Sequence, residues 1–78
     1  MQNETKHITI DAVAYDADRI TDGTGIGYIE LRRPGSSEPL ARIIYHGACT
    51  PMDVCTYGVP LPLPTVEWLL QAGREKLA

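Results

Sequence analysis

A chain of 78 residues with a formal net charge of −3 is long enough for one small domain, in which roughly 60% of the unfolded surface becomes buried. Its 44% hydrophobic and 22% charged content excludes a wholly disordered chain. With no Phe, one Trp and four Tyr, the core has to be built from Ile, Leu, Val and Ala, which leaves little room for a large cofactor, and none is expected.

In chain order, Lys6 to Tyr15 alternates well enough to predict a strand, with Ile8, Ile10, Ala12 and Ala14 on one face and Thr9, Asp11, Val13 and Tyr15 on the other. The polar, glycine-bearing DADRITDGTG that follows reads as a solvated acidic loop. Strand character resumes from Ile26 to Arg33. PGSSEP then supplies a reversal, with Pro34-Gly35 suited to a tight turn, and Leu40 to His46 is a further strand that should pair with its predecessor as an antiparallel hairpin. Val54 to Gly58 can add a short fourth strand. VPLPLP enforces an extended run, and TVEWLLQAGREKLA is the one convincing helix, with Pro64 in its first turn, Thr65 as a cap, and Arg74 and Lys76 near its negative end.

At about 100° per residue, Val66, Leu69, Leu70, Gly73 and Leu77 form the sheet-facing stripe. Gly73 costs helix propensity there, a loss offset if it lets the helix approach the strands closely. Trp68 falls beside Glu67, Gln71 and Glu75 on the polar side, where it is either exposed as an interface anchor or folded back against Pro60, Pro62 or Pro64. The predicted fold is one α+β domain over residues 1–78: a three- or four-stranded, mainly antiparallel sheet with a C-terminal helix packed on one face. A helix about 20 Å long covers only part of one sheet face. The pairs Ile43-Ile44 and Ile29-Leu31 put apolar groups on both faces of their strands, so something else is expected to cover the second face.

HGACTPMDVCTYG, residues 46–58, gathers both cysteines with His46 and Asp53. As a metal site, His46, Cys49 and Cys55 with Asp53 or His7 lack the close cysteine pair that aims two thiolates at one ion. A Cys49 nucleophile beside His46 lacks a third group and a walled pocket. The N-terminus MQNETKHITI has no signal-peptide apolar run, and no apolar stretch reaches transmembrane length. A cytoplasmic protein without membrane contact is therefore expected, and in that compartment a disulfide is opposed. Two free cysteines packed as small apolar side chains at the end of the hairpin are the reading this leaves. No metal and no catalytic residue is assigned.

Asp16, Asp18 and Asp22 with Gly23 miss the spacing of a calcium loop. The glycines at 23, 25 and 27 lead into a strand, so they offer no helix N-terminus to a phosphate. Residues 1–30 carry six acidic against two basic side chains and residues 31–78 four against five. That layout disfavours nucleic acid and attracts a basic protein surface. Arg32, Arg33 and Arg42 read as a solvated sheet face.

The function expected is a non-enzymatic protein-interaction module, a small acidic inhibitor or adaptor that binds and blocks a larger host protein, in the manner of accessory proteins of phages and mobile elements. Its partner-binding residues would be Asp16, Asp18 and Asp22, with Tyr28 on the sheet and Trp68 on the helix. The alternatives are a structural homo-oligomer, such as a homodimer, acting through an edge strand or open sheet face, and a small Cys/His metal-binding protein.

Overall fold

Two residues shape the first third of the molecule. Gln2–Ile10 (β1) and Val13–Thr21 (β2) pair antiparallel along their whole length, from Ile10↔Val13 to Gln2↔Thr21. The reversal between them is made by Asp11 and Ala12 alone, both left-handed at φ 49° and 68°. Two positive-φ residues are the mark of the type I′ turn, whose twist matches that of the strands it joins. The computed structural model describes residues 2–21, 26–47 and 49–76.

Beyond β2 the chain continues as a meander through β3 (Gly27–Arg32), β4 (Pro39–Tyr45) and β5 (Asp53–Thr56), and ends in α1 (Leu63–Lys76). The sheet order is β1-β2-β3-β4-β5, every pair antiparallel. The predicted three- or four-stranded sheet is therefore corrected to a five-stranded one. A turn without Gly, Pro or Asn carries no turn signal, so the pattern reads through it as one strand and takes the polar segment after it for a loop. In fact Asp16 and Asp18 are strand residues, whereas Asp22 lies outside the described residues. The later elements lie within one or two residues of their predicted ends. The reversal at Pro34-Gly35 is a type II turn, with Gly35 at φ 76° and the Ser36 N–H donating to the Arg33 carbonyl at 3.0 Å.

One face of the sheet is the core. Ala17, Leu31 and Ala41 lie in one cross-strand row, Ile29 and Ile43 in the next, and all five are buried. Onto them α1 sets Thr65, Leu69, Ala72 and Gly73. The buried stripe is thus turned by roughly a quarter turn from the expected one, which leaves Val66 and Leu70 half-buried. It also draws Trp68 from the expected polar side to the edge of the core, where it is half-buried; Leu77 lies outside the described residues. Small residues decide this rotation. A Cβ at Gly73 would stand 2.7 Å from Ile43 Cδ1 and 3.3 Å from Met52 Sδ, so the missing side chain is what lets helix and sheet meet.

Thr65 does not cap. The Pro62 carbonyl accepts the first helical N–H groups, from Thr65 at 3.0 Å and Val66 at 3.3 Å, which frees the Thr65 hydroxyl to bond that of Tyr15 at 3.0 Å in the buried layer. No helix among the described residues is long and apolar enough to cross a membrane.

Two stability predictions follow from these contacts. Ala12→Gly removes the Cβ cost of a left-handed residue and, net of the extra freedom of the unfolded chain, should stabilise by about 0.5–1 kcal/mol in urea unfolding. Gly73→Val overfills the space against Ile43 and Met52 and should destabilise by about 1–3 kcal/mol in the same measurement.

Candidate functional site

Side chains alternate between the two faces of a strand, so the register of this sheet sorts every polar residue of the strands. The face turned away from α1 carries three rows. His7, Asp16 and Arg32 form the first, Thr5, Asp18, Glu30, Arg42 and Cys55 the second, and Ile20, Tyr28, Ile44 and Asp53 the third. The expectation of an apolar second face that needs a cover is corrected by this sorting. Two of the three rows are polar, and their charges are paired within the sheet.

Asp16 is buried. It accepts hydrogen bonds from the Gly35 backbone N–H at 3.2 Å and from the His7 ring, so it ties β1 and the β3–β4 turn to β2. The Gly35 N–H first, and then His7, hold its carboxyl below the usual carboxylate range. Asp18 receives the Arg32 fork on both oxygens, at 2.8 and 3.0 Å, and the Thr5 hydroxyl at 2.5 Å. Desolvation pushes the Asp18 carboxyl upward, but the bonds from Arg32 and Thr5 outweigh it and the net shift is down. Arg32 also donates to the Ser36 carbonyl at 2.5 Å, and its own pKa is raised chiefly by Asp18. In the neighbouring strand pair Arg42 bonds Glu30, through Nε at 3.0 Å and through a second nitrogen. Its guanidinium lies 4.2 Å from the centre of the Tyr28 ring.

The residues expected to bind a partner are therefore divided. Asp16, Asp18 and Tyr28 share the open face, but the two carboxylates are already engaged and Tyr28 is half-covered by Arg42. Trp68 is on the opposite side of the sheet, where it lines a cleft beneath α1.

Sequence reasoning missed the feature that this topology leaves most available. β1 is one edge of the sheet and β5 the other. β5 has four residues and is flanked by Pro51 and Pro60, whereas β1 has nine, with neither proline nor bulge. Counting the antiparallel alternation from the Ile10–Val13 pair that closes the turn, the backbone groups of Thr9, His7, Thr5 and Asn3 face outward without a strand partner. The signal was present in the sequence as a proline-free β-prone stretch. It could be recognised as an edge only once the turn after it was known.

The cysteine segment is less organised. His46 Nε2 meets Asp53 Oδ2 at 2.9 Å, and both cysteines are free. Cys55 is half-buried on the open face, but Cys49 is exposed, which corrects its expected role as packing. No group of three metal-ligating side chains occurs among the described residues.

The molecule belongs to the α+β class, a five-stranded antiparallel meander with one C-terminal helix packed on it. Comparison with protein-family models, curated proteins and solved structures finds no match.

The lowered carboxyls make stability depend on pH in a defined direction. Since their folded pKa values lie below the unfolded value of about 3.9, the stabilisation is fully present above that pH and is lost as pH falls through the lower folded values. Urea midpoints should hold from pH 7 to about 5 and drop below about pH 4. Asp18→Asn should destabilise by about 1–3 kcal/mol at pH 7 and flatten that acid limb.

Proposed function

We propose that this protein is a non-enzymatic interaction module, a small acidic inhibitor or adaptor that accepts an extended segment of a larger protein alongside β1. The observation that supports this most directly is the nine-residue edge itself, regular along its length and lacking the prolines, bulges and brevity that usually protect such strands. In strand addition the main-chain bonds supply affinity and alternate side chains supply selectivity. Glu4 and Lys6 would meet the added strand on the helix side, Thr5 and His7 on the open side. The fixed ion pairs of β2 and β3 keep that edge flat and in register, a supporting role for Asp16 and Asp18 in place of direct capture. The reading places the protein in the cytoplasm, with a protein partner and no nucleic acid.

A second reading, the homodimer, is favoured by one specific feature. Antiparallel pairing of two β1 strands about a twofold axis at Thr5 sets Glu4 of each copy opposite Lys6 of the other, with Asn3 opposite His7. Each outward-facing position then meets an outward-facing one.

Thr5→Pro separates sheet pairing from other modes when set beside Thr5→Val: both lose the hydroxyl bond to Asp18, but the Thr5 backbone N–H points outward and not to β2, so only proline removes a main-chain bond, and that from an added strand. If β1 is the docking edge, Thr5→Pro should fold and lose the proteins that cross-link to the wild type in a cytoplasmic extract. An unchanged cross-linking pattern would refute the edge as the site. For the homodimer, light scattering should give twice the monomer mass for the wild type. Glu4→Lys should shift it to monomer, and the added Lys6→Glu should restore the dimer; a wild type that stays monomeric at millimolar concentration rules that reading out.

A further inference from the structure

A strand laid along β1 has alternate side chains on the helix side of the sheet, in line with Glu4, Lys6 and Ile8. Those same three residues are the outer rim of a cleft of about 250 Å³ beneath α1, whose floor is Ala17, Arg19 and Ile29 of the sheet and whose roof is Trp68 and Ala72. The lining is mostly apolar. Anything that occupies the β1 edge therefore also borders the cleft.

The register shows why the space is there. Lys6, Ala17, Leu31 and Ala41 form one cross-strand row on the helix side. Leu31 and Ala41 are buried, but outward from Leu31 the row has only a methyl group at Ala17 and a charged end at Lys6, and the cleft is what they leave. The next place in that row lies beyond Lys6, and β1 has no strand on its outer side to fill it. Lys6 itself is turned to Glu4 at 3.3 Å, so its alkyl stem and not a free charge faces the newcomer. Cross-strand and diagonal neighbours lie within reach of aromatic side chains. For scale, an engineered apolar cavity of about 150 Å³ holds benzene, so a single ring fits the cleft.

We infer that the segment accepted at β1 carries one aromatic side chain opposite Lys6, and that this ring lies over the Lys6 stem and fills the cleft against Trp68 and Ile8. The inference rests on the reading of β1 as a docking edge and names the chemistry of its partner: an extended, proline-free segment with a single large ring on the helix side. On either side of the ring the segment has small polar residues, because their positions fall on the open face beside Thr5 and His7. A second copy of the chain does not fit this description, since in the pairing centred on Thr5 it sets Glu4 and not a ring opposite Lys6. The division of labour is that of strand addition elsewhere, with main-chain bonds giving affinity and a side-chain pocket giving selectivity.

Trp68 is the only tryptophan of the chain, so its emission reports on the cleft, while the Thr5 and His7 amide signals in nitrogen–proton NMR report on the edge. The intact protein is titrated with the capped peptide Lys-Thr-Ser-Thr-Phe-Thr-Ser-Thr-Lys and with its counterpart in which serine replaces the phenylalanine. The Phe peptide should shift both amides downfield, change Trp68 emission saturably, and bind at least about tenfold more tightly than the Ser peptide. Thr5→Pro should lose the His7 shift and the Trp68 response together. Equal binding of the two peptides with the amide shifts present overturns the anchor and leaves the edge standing. A Trp68 response without the amide shifts overturns both. No response to the Phe peptide at millimolar concentration overturns the anchor, and the edge is then judged apart from it by the cross-linking of Thr5→Pro.

Discussion

A slip of one residue at the Asp11–Ala12 turn would turn every side chain of β1 to the opposite face. Ile8 and Ile10 would leave the core, His7 would lose Asp16, and Thr5 would lose Asp18. The turn is also locally costly, since Ala12 holds a conformation that L-residues with a Cβ avoid by roughly 1–2 kcal/mol. It persists because the nine cross-strand pairs it sets in register are collectively worth more. The edge position of β1 and the cleft beneath α1 are both consequences of where that reversal falls.

The second constraint is coverage. One helix of fourteen residues meets β1, β3 and β4 but cannot span five strands. The molecule meets that shortage in two ways. On the helix side Gly73 and Ala72 bring α1 close over Ile43 and Ile29, which concentrates the apolar contact at the centre and leaves the cleft at the β1–β2 end. On the other side two rows of the sheet carry charges bonded to their cross-strand neighbours, so that face tolerates water without a further layer. Ion pairs fully in solvent contribute little, commonly under about 1 kcal/mol. The Asp18–Arg32 pair is mostly buried and bidentate, a geometry in which loss of one partner strands the other. Its main effect is on specificity, since only one register brings these groups together.

These two constraints frame the functional reading. A polar, self-satisfied face is a poor apolar docking surface, which moves attention from the face to the edge. The acidity of the first thirty residues is largely consumed inside the sheet, with Asp16 held by Gly35 and His7, Asp18 by Arg32 and Thr5, and Glu30 by Arg42. Long-range attraction of a basic partner is correspondingly weaker than the count of carboxylates suggests, which is why the proposed reading draws its affinity from main-chain pairing along β1.

Residue order alone made the α+β class legible, with the β3–β4 hairpin and its Pro34-Gly35 turn, the short strand near Val54, the C-terminal helix, and the use of Gly73 for close approach. Each of these is a local matter: periodicity, turn chemistry and a missing Cβ act over a few neighbouring residues. That Asp11 and Ala12 reverse the chain emerges from the folded whole, because neither residue type prefers the left-handed region strongly enough to announce it. The same holds for the aspartates being strand residues with partners nine to nineteen positions away, and for α1 rolling a quarter turn to bring Trp68 and Arg19 to one cleft. Those outcomes rest on pairing between distant segments, where the winning arrangement is the one that buries Leu31, Ile43 and Leu69 together, and no short window of the chain carries that information.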